Sequence, residues 1–226
     1  MHSSKLRLFL DTADVDAWKA WLPTGLFYGV TTNPLLLERA KVPCTLDSLK
    51  LLADVAIRLD VQNIQLQTWG TTPEDMVAVG KTLAQMSDRI TIKVPLTQNG
   101  IRAAQSLHQR DISITLTAAY THHQAIIADA ACAEYVAPYL GRMNDLGLDG
   151  HIEISNMQQS LNALNSSTRI LVASIRTVED ITALTMKGLD TFTFSPAIAQ
   201  SLFDVPSTQK AAMDFERAAQ AMQKAI

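Results

Sequence analysis

The sequence predicts a single (β/α)8 barrel, and three observations carry that reading. Short apolar or β-branched runs alternate with amphipathic stretches along the whole chain, the strand runs are nearly continuously apolar, and there are eight of them. Strict alternation of strand and helix implies a parallel sheet, and a count of eight favours its closure into a barrel. An open doubly wound sheet is the alternative. It advertises itself with a glycine-rich first strand-to-helix turn, whereas here that turn reads Leu10-Asp11-Thr12-Ala13-Asp14.

Taken in order, strands are expected at residues 6–10, 27–31, 63–68, 90–94, 112–117, 134–138, 169–173 and 191–194. Helices are expected between them at 14–22, 46–59, 73–86, 99–109, 122–131, 153–164 and 178–187. The helix at 73 has a recognisable start: Thr72 as cap, Pro73 in the first turn, then Glu74 and Asp75 at the positive end of the dipole. Pro34 likewise starts a helix after the second strand. Past the eighth unit, residues 208–226 form a last helix, with Phe215, Ala218, Met222 and Ile226 on one face. The chain therefore divides into a catalytic barrel, 1–206, and a C-terminal helix, 207–226, docked on its own barrel or on a neighbouring subunit. Eight units of about 28 residues fill the length and leave no room for a second domain.

Composition narrows the function. With 226 residues, 47% apolar and 18% charged, the chain is too hydrophobic for disorder and long enough for a sizeable core. A net charge of −3 argues against nucleic-acid binding while leaving room for one small phosphate ester. The run Leu8-Phe9-Leu10 is too short for a signal-peptide core, and no stretch approaches a membrane span, so a cytoplasmic protein with no membrane partner is expected. Cys44 and Cys132, far apart and outside any CxxC, read as two buried small hydrophobes in a reduced protein. The adjacent His122 and His123 point apart on a helix, so neither a metal site nor another cofactor is expected.

Barrel chemistry gathers where strands end. Those ends carry Asp11, Asn33, Gln67, Lys93, Thr117, Tyr139, and Ser174 with Arg176. Lys93 is the sharpest feature. In Ile90-Thr91-Ile92-Lys93-Val94-Pro95, alternation sets Ile92 and Val94 on one face and Lys93 on the other. If the aliphatic face meets the helices, the amine points into the barrel mouth, where desolvation favours the neutral, nucleophilic form. The blander alternatives are a lysine snorkelling to solvent or paired with Asp11. Asp11 offers a carboxylate suited to moving a hydroxyl proton, unless it merely caps the first helix, a task Thr12 or Asp14 performs equally well. Thr31, Thr32 and Asn33 end the second strand with three hydrogen-bonding side chains. Gln67, Thr117 and Tyr139 are placed to hold a water or a substrate oxygen. Arg142, Ser174 and Arg176, after strands six and seven, make a phosphate site if they converge.

These segments resemble the transaldolase family, in particular its short fructose-6-phosphate aldolase-like branch. The matching stretches are Phe9-Leu10-Asp11-Thr12-Ala13, Gly29-Val30-Thr31-Thr32-Asn33-Pro34, Ile92-Lys93-Val94-Pro95, Tyr135-Val136-Ala137-Pro138-Tyr139, Gly141-Arg142 and Ala173-Ser174-Ile175-Arg176, in family order. The resemblance implies a metal-free mechanism in which Lys93 forms a Schiff base with a ketose phosphate and Asp11 handles the C4 hydroxyl proton. Asn33, with Thr31, would hold the dihydroxyacetone fragment, and Arg142, Ser174 and Arg176 the phosphate. Typical transaldolases carry Glu in place of Gln67, Phe in place of Tyr139 and, in larger members, Asn in place of Thr115. The Gln67–Tyr139 pair is similar to the aldolase branch, whereas Leu66 and Trp69 match neither. The expected activity is cleavage and formation of fructose 6-phosphate from dihydroxyacetone and glyceraldehyde 3-phosphate. Transfer of the dihydroxyacetone unit to an acceptor, as in the pentose phosphate pathway, is the alternative, and a non-catalytic sugar-phosphate-binding barrel the outsider. The resemblance also implies a homo-oligomer, a pentamer or decamer.

Overall fold

The computed structural model describes residues 5–223 and contains eight parallel strands in the order β7-β6-β5-β4-β3-β2-β1-β8. They are β1 (Arg7–Asp11), β2 (Gly29–Thr31), β3 (Asn63–Gln67), β4 (Ile90–Pro95), β5 (Ile114–Ala119), β6 (Tyr135–Pro138), β7 (Arg169–Ile170) and β8 (Thr191–Phe194). A bridge between Val172 and Phe192, with Val172 N–H donating to Thr191 O at 3.0 Å and Thr193 N–H to Val172 O at 2.8 Å, joins the last two strands and closes the barrel. All eight lie where the alternation pattern puts them.

The helices are α1 (Val15–Trp21), α2 (Pro34–Arg39), α3 (Leu46–Arg58), α4 (Pro73–Ala84), α5 (Gln98–His108), α6 (His123–Ala130), α7 (Leu140–Asp145), α8 (Gly150–Ala163), α9 (Val178–Thr185), α10 (Pro196–Ser201) and α11 (Pro206–Gln223). Caps fix where several begin. Thr72 and Asp75 form a reciprocal capping box on α4, and Thr177 and Asp180 do so on α9. Asp14, not Asp11, caps α1 by accepting Asp16 N–H at 2.9 Å, which leaves Asp11 for other work. Two six-residue helices, α7 and α10, are additions to the expected set, while α2 starts at Pro34 as expected and runs for only six residues; each lies just after a strand end at the barrel mouth. They are too short for an apolar period to register.

Even-numbered strand residues such as Leu10, Val30, Ile64, Leu66, Ile92 and Leu116 join the helix-facing core, and their odd-numbered neighbours point inward. Inside, Phe9, Tyr135, Ala137 and Leu171 form a separate apolar plug toward the amino ends of the strands. Gly29 makes room for it, since a Cβ there would stand 2.8 Å from the Phe9 ring and 2.1 Å from Asn63 O. Above the plug the interior turns polar: Thr115 Oγ1 donates to Gln65 Oε1 at 2.8 Å, both side chains fully buried.

One expectation needs correction. Cys44 and Cys132 are both exposed, because Cys132 takes the left-handed position that ends α6 (φ 54°) and Cys44 lies in the loop before the Thr45 cap of α3. On the expected face of the last helix, Phe215 is 74% and Met222 70% exposed, and none of the described residues of α11 is buried within the single chain. Ile226, the last position of that face, lies outside the described residues. No described helix is long and apolar enough to cross a membrane.

Candidate active site

A cavity of about 380 Å³ opens at the carboxyl ends of the strands, with Asp11, Asn33, Lys93, Tyr139, Arg142, Ser174 and Arg176 among its lining residues. Seven of the side chains singled out from sequence thus meet in one space. Thr31, Gln67 and Thr117 do not line it; each stands behind or beside a residue that does.

Lys93 reaches the cavity from inside the barrel, because Ile92 and Val94 are committed to the helix-facing core. It is 3% exposed, and no carboxylate oxygen among the described residues lies within 4.0 Å of its ammonium. That excludes both the snorkelling lysine and the close ion pair with Asp11. Burial pulls the Lys93 pKa below the usual lysine range, and the more distant charge of Asp11 opposes the shift only in part. The Asp11 carboxylate is fixed from below. Thr31 Oγ1 donates to Asp11 Oδ1 at 2.6 Å, and since a hydroxyl has one proton, Thr193 must donate the 2.5 Å bond that Thr31 receives. Thr31, fully buried, is therefore an orienting group for Asp11.

Asn33 lines the cavity and caps α2: its Oδ1 accepts Leu36 N–H at 3.1 Å, and its amide nitrogen has no partner among the described residues. Tyr139 closes the opposite side. Its hydroxyl lies 2.7 Å from Thr117 Oγ1, its ring meets Tyr120 edge-on, and the Arg142 guanidinium stands 4.8 Å from its centroid. Burial raises the Tyr139 pKa, with Thr117 and Arg142 pulling the other way, so the phenol is held in its neutral form. The bond to Thr117 depends on a bulge: the register between β5 and β6 shifts at Thr117/Ala119, and Ala118 takes φ 63°. Gln67, at the end of β3, pairs in register with Lys93 of β4, and its side-chain amide makes no hydrogen bond among the described residues.

The anion-binding wall differs from its expected form. Arg142 and Arg176 both face the cavity, but Arg39 of α2 faces it as well, and so does Asp145 at the end of α7. Arg176 is held by Asp145 through a two-pronged contact, Nη1 to Oδ1 at 2.7 Å and Nη2 to Oδ2. The pairing lowers the Asp145 pKa and raises that of Arg176. Ser174 adopts φ 58°, a conformation unusual for a side chain other than glycine, and its carbonyl receives Gly141 N–H at 2.9 Å. Leu66 is buried in the helix-facing core and Trp69 packs against that core, so neither departure from the family pattern shapes the cavity. Arg39 and Asp145 were missed from sequence, although following the helix that starts at Pro34 to its sixth residue would have carried Arg39 to the mouth.

The family profile described as Transaldolase/Fructose-6-phosphate aldolase matches residues 8–226. A probable transaldolase of Phenylobacterium zucineum (strain HLK1) is 33% identical over 210 residues, covering 93% of this chain and 94% of that one. A probable transaldolase of Ruegeria sp. (strain TM1040) is 32% identical over 205 residues, covering 91% and 92%. Among solved structures, a thiamine phosphate pyrophosphorylase from Pyrococcus furiosus superposes with TM-score 0.62 at 12% identity over 87% of this chain and 92% of that one, a likeness of fold alone. With matches along nearly its whole length, the chain belongs to the transaldolase/fructose-6-phosphate aldolase family.

Proposed function

We propose that this enzyme is a class I aldolase that cleaves fructose 6-phosphate to dihydroxyacetone and glyceraldehyde 3-phosphate, and runs the reverse addition. The observation that carries the reading is Lys93: an amine 3% exposed, without an ion pair among the described residues, on the wall of a cavity it shares with a carboxylate. Burying such a group is costly and is explained by a need for the neutral amine.

Lys93 Nζ attacks the ketose C2, and loss of water leaves an iminium. Asp11 takes the C4 hydroxyl proton as the C3–C4 bond breaks, the aldehyde departs, and the electron pair flows into the iminium to give an enamine. Asn33 Nδ2 is placed to donate to a hydroxyl of the retained three-carbon unit. The arginine wall holds the phosphate. Protonation at C3 through the Tyr139–Thr117 pair, then hydrolysis, releases dihydroxyacetone and restores the free amine.

The second reading is transaldolase, in which the enamine attacks an acceptor aldehyde instead of a proton. The relatives named probable transaldolase favour it. The neutral Tyr139 phenol beside Thr117 favours the aldolase, since it supplies a route for the proton. Fructose 6-phosphate alone separates the two. Free dihydroxyacetone appearing without an acceptor aldehyde is expected, and strict dependence on an acceptor would establish the transferase.

A further inference from the structure

A phosphate is gripped by arginine through paired N–H groups, and one such pair on Arg176 is already engaged. Nη1 and Nη2 are taken by Asp145. The side chain passes close over Gly141, where an added Cβ would stand 2.5 Å from Ser174 O and 2.6 Å from Arg176 Nε. The absence of a Cβ at Gly141 therefore leaves room for both at the start of α7. The other two arginines of the cavity, Arg39 and Arg142, have no carboxylate oxygen within 4.0 Å among the described residues.

We propose that Asp145 sets the preference of the site between phosphorylated and unphosphorylated aldehydes, by occupying the Arg176 fork that a phosphate would otherwise take. The proposal rests on the sugar-phosphate reading above. Both partners are about half exposed, at 55% and 52%, so the contact opens without unpacking the core and an incoming anion competes for it. Phosphate first meets the unpaired Arg39 and Arg142, then draws Arg176 away from Asp145; no covalent step is involved. When the aldehyde carries no phosphate, the Asp145–Arg176 pair stays closed and presents no unpaired charge to a neutral substrate.

The experiment is calorimetric titration with glycerol 3-phosphate, which has no carbonyl and cannot react with Lys93. An exposed ion pair of this kind shifts a competing affinity by about two- to fivefold, and Asp145→Asn is expected to tighten binding by that factor. In an Arg176→Gln background the same substitution is expected to gain nothing, since there is no fork to release. Binding no tighter in Asp145→Asn, or an equal gain in both backgrounds, overturns the proposal; the second outcome reduces Asp145 to a long-range charge. Asp145→Ser, with its melting curve, repeats the test if the Asn variant folds poorly. Reductive trapping of dihydroxyacetone on Lys93 in the wild type reports the proposed reaction separately. A protein that binds glycerol 3-phosphate as expected but forms no adduct overturns the aldolase reading and leaves the role of Asp145 standing.

Discussion

The Thr117 hydroxyl and the Tyr139 phenol lie 2.7 Å apart, and a bulge at Ala118 accompanies that approach. Two residues 22 positions apart are thereby joined, and in the proposed reaction they deliver the proton that releases product. Tyr139→Phe removes the hydroxyl while keeping the ring under Arg142. Its expected effect is a loss of about 10²-fold in cleavage of fructose 6-phosphate, in line with general acid–base contributions, and a much smaller loss in transfer to an added aldehyde. Steady-state assays with and without acceptor check this, and equal losses contradict the proton-delivery role.

Thr31 does not line the cavity, yet its hydroxyl donates to Asp11 and is itself anchored by Thr193. Thr31→Val keeps the shape and removes the donor. The Asp11 carboxylate then loses its fixed orientation, and kcat is expected to fall by about tenfold, the scale of one charge-assisted hydrogen bond. Adduct formation between dihydroxyacetone and Lys93, which precedes the step using Asp11, is expected to persist. Single-turnover trapping compared with steady-state turnover distinguishes this from general damage.

Lys93 should lower the stability of the fold it serves. Its folded pKa lies below its unfolded value of about 10.4, so between the two the unfolded chain binds more protons and stability rises with pH. The penalty is full below the folded pKa and is relieved as pH climbs toward about 10.4. Lys93→Met is therefore expected to stabilise the protein at neutral pH by about 1–3 kcal/mol, the scale of an uncompensated buried polar group, with the gain shrinking at alkaline pH. Denaturant midpoints measured from pH 7 to pH 10 read this directly. A gain that grows with pH would contradict it.

The placement of Lys93 was legible in the sequence because a strand has period two: once Ile92 and Val94 go to the helices, the amine has one direction left. Asp11, Asn33 and Tyr139 followed from strand ends in the same way. The Asp145–Arg176 contact was not legible, since it joins residues 31 positions apart and needs a six-residue helix, α7, whose length carries no periodic signal. The start of α2 at Pro34 was legible, but its six-residue length carries no period that would have pointed to Arg39. The cysteines misled because composition speaks of burial on average, whereas Cys132 is placed by the backbone conformation at a helix end. Thr31 pairs in register with Asp11 and touches its carboxylate, a contact that reading strand ends one at a time does not give.

The central claim is that Lys93 is the nucleophile, and one measurement tests it most directly. The protein is incubated with dihydroxyacetone, reduced with borohydride, digested and examined by mass spectrometry. The account predicts one reduced three-carbon adduct per chain, located on Lys93 and absent from Lys93→Met. An unmodified Lys93 peptide, or an adduct spread over the exposed lysines, would contradict it.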